Sequence, residues 1–215
     1  MDRKTKNTLR KSGAIFANSA LSRNPILTAA LGIYPAAAAS LTVKTSVAFA
    51  LMLLLTMTPV CLISCLIGRR IPSWIRPAVV VVCSAALYAP AFLFVNWLVP
   101  DVLPLLTLYA PLVITNSLLL SHANDYAPDH KVIAVLADCI GCSVGFAAVA
   151  ILVSVMRTLW MQRGFWENPV RIPAVEAHPF SALILLGFLA AFLQLLNRRR
   201  ARRRARRTRE RRGQA

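Results

Sequence analysis

Acidic side chains are scarce in this chain, with 8 Asp and Glu against 25 Lys and Arg in 215 residues. A net charge of +17 would suit a nucleic-acid binder if it were spread over a surface. It is not: eleven of the arginines and one Glu fall between Arg198 and Arg212, which leaves only a moderate basic excess elsewhere. That tail also lacks the interleaved aromatics that stack bases, so nucleic acid is not the expected partner. A run of arginines directly after a membrane span acts more simply as an orientation signal and a clamp on anionic lipid head groups. Cysteine is absent from the connections. Cys61, Cys65, Cys83, Cys139 and Cys142 all lie in apolar stretches, which excludes a secreted disulfide framework. No catalytic nucleophile motif or phosphate loop is present, so enzymatic activity of the chain alone is not expected. A cleavable signal is not expected either. The basic start (Arg3, Lys4, Lys6, Arg10, Lys11) is followed by a short apolar stretch, Ala14 to Leu21, broken by Asn18 and Ser19, whereas an h-region needs roughly 7 to 15 apolar residues. Residues 1–23 are instead expected to form a cytoplasmic segment, with a short helix at the membrane interface.

What the chain does hold is apolar sequence. At 57% hydrophobic residues and a mean hydropathy of +0.60, it exceeds the roughly 45 to 50% of soluble domains and reads as an all-α polytopic membrane protein. Six apolar segments can be drawn: Ile26 to Val43, Ser46 to Gly68, Pro77 to Pro100, Val102 to Ser121, Val132 to Trp160 and Pro179 to Asn197. Each approaches the roughly 20 residues that span a hydrocarbon core. The chain then divides into residues 1–23, a six-helix membrane domain at 24–197, and an Arg-rich tail at 198–215, with no room for a soluble domain. The basic residues of the N-terminal segment, of the second connection (Arg69, Arg70, Arg76) and of the tail fall on one side. The positive-inside rule makes that side cytoplasmic, which implies a multi-pass protein of the cytoplasmic (inner) membrane with both termini inside.

Two of these segments are interrupted alike. The first carries Leu31-Gly32-Ile33-Tyr34-Pro35, and the fourth carries Tyr109-Ala110-Pro111 followed by Ile114-Thr115-Asn116-Ser117. A helix breaker inside a membrane frees backbone groups that lipid cannot satisfy, so it is tolerated where protein buries it or where it lines a cavity. Splitting the chain after the third span gives two sets of three helices. Because three is odd, the sets run in opposite senses, and the interrupted half-helices in spans 1 and 4 become symmetry mates of an inverted repeat. The bland alternative is helix packing through small and hydroxyl residues, and composition does not choose between the two.

The motifs Asn24-Pro25-Ile26-Leu27, Leu31-Gly32-Ile33-Tyr34-Pro35, Arg69-Arg70-Ile71-Pro72 and Ile75-Arg76-Pro77 point further. Together with Pro111-Leu112-Val113-Ile114-Thr115-Asn116-Ser117, the stretch Asp138 to Phe146 and Met156-Arg157, they give a sequence that resembles the Rnf/Nqr family of paired six-helix membrane subunits. The resemblance covers most of the chain from residue 24 to about 160 and is nearest to the RnfE/NqrD branch. It implies a membrane subunit of an ion-translocating electron transport complex, helping electron passage or ion coupling, beside a homologous six-helix partner (RnfA/NqrE-like) and further Rnf/Nqr-like subunits. In the family each half-helix bears one cysteine, after Leu-Gly-x and after Thr-Asn, and two paired subunits hold one iron-sulfur cluster with four thiolates. Tyr34 and Ser117 stand at those positions here. Thiolates suit iron because they are soft, anionic donors, and a neutral phenol and hydroxyl are not. The expectation is a chain that binds no cofactor itself. The alternatives are a 2Fe-2S cluster shared asymmetrically with the partner, or a non-redox scaffold or small-solute or ion transporter derived from the same fold.

Other residues could carry chemistry. Asp138 is the carboxylate that falls clearly inside a span, and with Thr115 and Asn116 it is a candidate for an ion path. Against this, it lies only six residues after Val132 and could be a solvated helix-end residue. Cys139 and Cys142 form a C-x-x-C pair on one helix, and Cys61 and Cys65 are also co-facial. These read either as a metal-binding alternative or, more plainly, as small apolar packing residues. His122 and His130 sit in the fourth connection with Asp125 and Asp129, as solvated loop residues or a weak metal surface. Arg157, with Trp160 and Trp166, reads as an interfacial anchor.

Overall fold

A computed structural model describes residue 29 and residues 31–67, 70–100, 108–162, 181–192 and 194–195, with side chains in the last long helix described as far as Arg157. The N-terminal segment 1–23, the motif at 24–27, the connection around Trp166 and the tail 198–215 lie outside the described residues, as does the Trp160 side chain. The described elements are helices and turns with no strand among them: α1 (Ile33–Ala39), α2 (Val43–Ile67), α3 (Arg76–Leu98), α4 (Ser117–Ser121), α5 (Val132–Gln162) and α6 (Ser181–Phe192). Of these, α2, α3 and α5 are long and apolar enough to cross a membrane. At 25 residues, α2 extends about 37 Å, more than the roughly 30 Å of a hydrocarbon core.

The second span begins earlier than hydropathy alone suggests, at Val43 rather than Ser46. The reason is a reciprocal cap. The Thr42 N–H donates to Thr45 Oγ1 at 2.8 Å, and the Thr45 N–H donates to Thr42 Oγ1 at 3.1 Å, so two N-terminal donors that the helix leaves open are satisfied. The same hydroxyls serve α1. Thr45 Oγ1 and Ser46 Oγ lie 2.9 and 3.1 Å from the Ala39 carbonyl, which terminates α1 without an orphaned acceptor in an apolar surround. Pro59 and Pro90 sit inside α2 and α3, where membrane helices tolerate them.

The core lies between α2 and α5, the most extensively packed pair. Phe49 stacks on Phe146 with centroids 5.7 Å apart and planes at 21°. The short α1 joins this core through Ala36, Ala37 and Ala39, whose lack of side-chain bulk allows close backbone approach. By contrast, α3 begins with Pro77 in its first turn and exposes Val82, Leu93, Phe94 and Trp97. In α6, Ala182 and Leu186 are buried while Leu183, Ile184 and Phe188 are exposed, so one face packs and the rest is left to lipid or to other protein.

The fourth apolar segment is no continuous span. Over its described part it runs as a 3₁₀ turn (Ala110–Val113) and then the five-residue α4. The stretch that the sequence presents as an open connection, His122 to Lys131, is also largely helical. A single π turn (His122–Tyr126) and a 3₁₀ turn (Ala127–Asp129) continue α4 without a break.

Candidate functional site

The two interrupted segments meet. Gly32 adopts φ +72°, a left-handed conformation that is costly for ordinary L-residues, and this turn aims its N–H at the other segment. That N–H donates to Ser117 Oγ at 2.8 Å. The Tyr34 hydroxyl donates to the Thr115 carbonyl, with Thr115 Oγ1 3.4 Å away. Asn116 caps α4, its Oδ1 accepting from the Leu118 N–H at 2.9 Å. Glycine is also required at 32 for space, since a Cβ there would lie 3.0 Å from Asn116 Oδ1. The Asn116 amide Nδ2 is buried and has no hydrogen-bond partner among the described residues. Tyr34 itself is 41% exposed, so the junction reaches the surface of the chain.

One element further along, the π turn redirects the chain. Its wider ring places His122 back against α5, the kind of local irregularity that often accompanies functional sites. Two contacts hold the turn: Ser64 Oγ of α2 donates to the Ala123 carbonyl, and Arg76 Nη1 donates to the Asn124 carbonyl at 3.1 Å, while Arg76 Nη2 reaches back to the Ile71 carbonyl at 3.4 Å. Beyond it, Tyr126 stacks on His130 at 3.8 Å and 13°. His130 Nδ1 donates to the Tyr126 carbonyl at 2.8 Å, and the Cys65 thiol donates to the His130 carbonyl at 3.2 Å.

At this point His122, Asp138 and Cys142 converge. His122 Nδ1 lies 2.6 Å from Asp138 Oδ2. Its other nitrogen, Nε2, is 3.5 Å from Cys142 Sγ, and that sulfur is 3.9 Å from Asp138 Oδ1. Asp138 and Cys142 stand four residues apart on one face of α5 and are both buried, while the His122 side chain keeps 16% of its surface open. Burial pushes the Tyr126 phenol above its ordinary value, and the nearby Asp138 carboxylate adds to the shift. Cys139, although it follows Asp138 directly, lies instead beside Cys61 of α2.

Of the residues that the sequence singles out, Tyr34, Thr115, Asn116 and Ser117 come together at one junction, and Asp138 meets the chain at the other end of α4, through His122. Asp138 is not a solvated helix-end residue: it sits about 9 Å into α5 and is buried. Cys139 and Cys142 part company, one toward Cys61 and the other toward His122. Arg157, at the end of the spanning part of α5, is packed against protein at 5% exposure. His122 looks in sequence like a loop neighbour of Asp125, whereas its partner in the fold is Asp138. No local sequence signal marks that pairing, since it depends on the π turn.

Comparison with known proteins agrees with the architecture. The family model described as "Rnf-Nqr subunit, membrane protein" matches residues 13–195. Among curated proteins, the E subunit of the ion-translocating oxidoreductase complex of Aliivibrio fischeri is 26% identical over 205 residues, covering 87% of this chain and 90% of that protein. The proteins of the same name from Shewanella loihica and Methanosarcina acetivorans are 24% and 25% identical, covering 81% and 63% of this chain and 83% and 64% of their own length. Three apolar helices of spanning length, a broken segment joined to a second broken segment, and a family match over most of the sequence lead to one conclusion: the chain belongs to the Rnf-Nqr subunit family of membrane proteins.

Proposed function

We propose that this chain is a membrane subunit of an ion-translocating oxidoreductase complex of the Rnf-Nqr kind, in which the half-helix junction is a self-contained structural joint and not a cluster ligand. The observation that carries the reading is the engagement of both family cysteine positions by neutral hydrogen-bonding groups. The Ser117 hydroxyl accepts from Gly32, and the Tyr34 phenol donates to Thr115. Neither group is a soft anionic donor of the kind that holds iron-sulfur clusters, so this donor set does not fit a cluster held by four thiolates. The chain supplies the frame of the pair, and electron passage falls to partner subunits.

In the full architecture that accompanies this reading, six membrane segments form two inverted sets of three, with both termini cytoplasmic and the arginine tail lying on anionic lipid. The exposed apolar face of α3 and the exposed Tyr34 supply surface for a homologous six-helix subunit. The test is affinity purification of the tagged chain from its native membranes in mild detergent, with mass spectrometry of what accompanies it. Recovery of a second six-helix subunit together with flavin- and iron-sulfur-bearing subunits is the expected result. A chain that purifies without them, from membranes in which they are present, would overturn the assignment.

A further inference from the structure

We infer that His122, Asp138 and Cys142 form a binding site for a single borderline-soft divalent cation of the zinc class, clamping the end of the broken segment to α5. One donor atom from each of the three lies within 4.8 Å of the other two. A four-coordinate Zn²⁺ with bonds of about 2.0 to 2.3 Å separates its ligand atoms by roughly 3.3 to 3.8 Å. The 3.5 Å between His122 Nε2 and Cys142 Sγ falls inside that window, and the 3.9 Å between Cys142 Sγ and Asp138 Oδ1 lies just beyond it, a gap that a small side-chain adjustment closes on binding.

The chemistry of the set is consistent with this occupant. Thiolate, imidazole and carboxylate are the three ligand types that zinc takes, and three protein ligands leave a fourth position open. Asp138 Oδ2 meets His122 Nδ1 at 2.6 Å, and the Cys142 sulfur stands 3.9 Å from Nδ1 and 3.5 Å from Nε2, so the three side chains converge on one place. Charge argues the same way. A buried carboxylate in an apolar segment is costly unless it is paired, and a dication bound by one carboxylate, one thiolate and a neutral imidazole forms a locally neutral unit. On binding, the Cys142 thiol gives up its proton to solvent and its sulfur bonds the metal. The partly open edge of His122 provides the way in, where α2 ends and α5 begins. Cys139 is not among the donors that converge here.

The experiment uses the full chain in detergent micelles or nanodiscs, stripped with chelator, titrated with Co²⁺ and then back-titrated with Zn²⁺. A single Co²⁺ per chain is expected, with a thiolate-to-cobalt charge-transfer band and the visible bands of a four-coordinate ion, both lost as Zn²⁺ displaces it. Cys142→Ser removes the charge-transfer band, while Cys61→Ser and Cys139→Ser keep it. Asp138→Asn takes away an anionic ligand and weakens Zn²⁺ binding by more than about 10-fold. Each variant is compared at the same monodisperse elution position as the parent. A folded parent chain that shows no thiolate band, or a band that survives Cys142→Ser, would overturn the site. Because the parent chain alone can return that negative answer, misfolding of a variant does not shield the proposal.

Discussion

The Gly32 N–H donates to the Ser117 hydroxyl at 2.8 Å across 85 residues of sequence, so each interrupted segment satisfies the other. A turn that would be an open backbone wound in lipid is closed by a side chain from the opposite half. The hydroxyl that closes it is neutral, and at this junction it serves as a hydrogen-bond acceptor.

Ser117→Ala should leave the Gly32 N–H without an acceptor and cost about 1 to 3 kcal/mol. The purified complex should show a lower thermal midpoint and an unchanged iron content. Iron lost together with the hydroxyl would show that Ser117 holds a metal after all.

Gly32→Ala is expected to be worse tolerated than its size suggests. The left-handed φ costs roughly 1 to 2 kcal/mol for a residue with a Cβ, and that Cβ would press on Asn116 Oδ1 at 3.0 Å, disturbing the cap of α4. Gly187→Ala is the control, because a Cβ there meets nothing within 4 Å and a helical alanine gains up to about 1 kcal/mol over glycine. Parallel thermal melts should move in opposite directions, and equal shifts would refute the strain argument.

Removing the reciprocal cap with Thr42→Ala should destabilise the start of α2 by about 0.5 to 2 kcal/mol. The place to look is amide exchange at residues 43–46, which should quicken while the centre of α5 stays protected. Uniform exchange across both helices would indicate that the cap has no local role.

The pairing of His122 with Asp138 lends itself to a double-mutant cycle with His122→Gln and Asp138→Asn. Groups in direct contact couple by about 0.5 to 3 kcal/mol, so the single changes should not add in metal-free protein. Strict additivity of the unfolding midpoints would dissolve the pair.

The basic residues Arg69, Arg70 and Arg76 and the terminal arginines share one side in a six-span arrangement, which the positive-inside rule places in the cytoplasm. A green fluorescent protein fused after Ala215 should therefore fluoresce, and alkaline phosphatase fused there should be inactive. The reverse pattern would break the six-span topology.

Much of the fold is legible in the sequence because it rests on local properties. Apolar run length places α2, α3 and α5 to within a few residues, and the helix breakers at Pro35 and Pro111 mark the two places where spans fail. The boundary at Val43 escapes hydropathy because it is set by two threonines facing each other across one turn. The helical path from His122 to Asp129 is hidden for a different reason: its polar composition, His-Ala-Asn-Asp-Tyr, is the ordinary signature of a loop.

The site divides along the same line. Residue types and spacing single out Thr115, Asn116, Asp138 and Cys142, since polar groups at membrane depth are conspicuous against an apolar background, while the resemblance to a known family adds Tyr34 and Ser117. By itself the sequence also determined that this is a membrane chain without thiols at the half-helix positions. Tertiary structure decided which of those residues meet. The Gly32–Ser117 bond, the turning of Cys139 toward Cys61, and the convergence of His122 with Asp138 and Cys142 depend on how α2 and α5 pack and on one π turn between them. Hydropathy is additive along the chain and can be read residue by residue, whereas a contact across 85 residues exists only once the intervening helices have been placed.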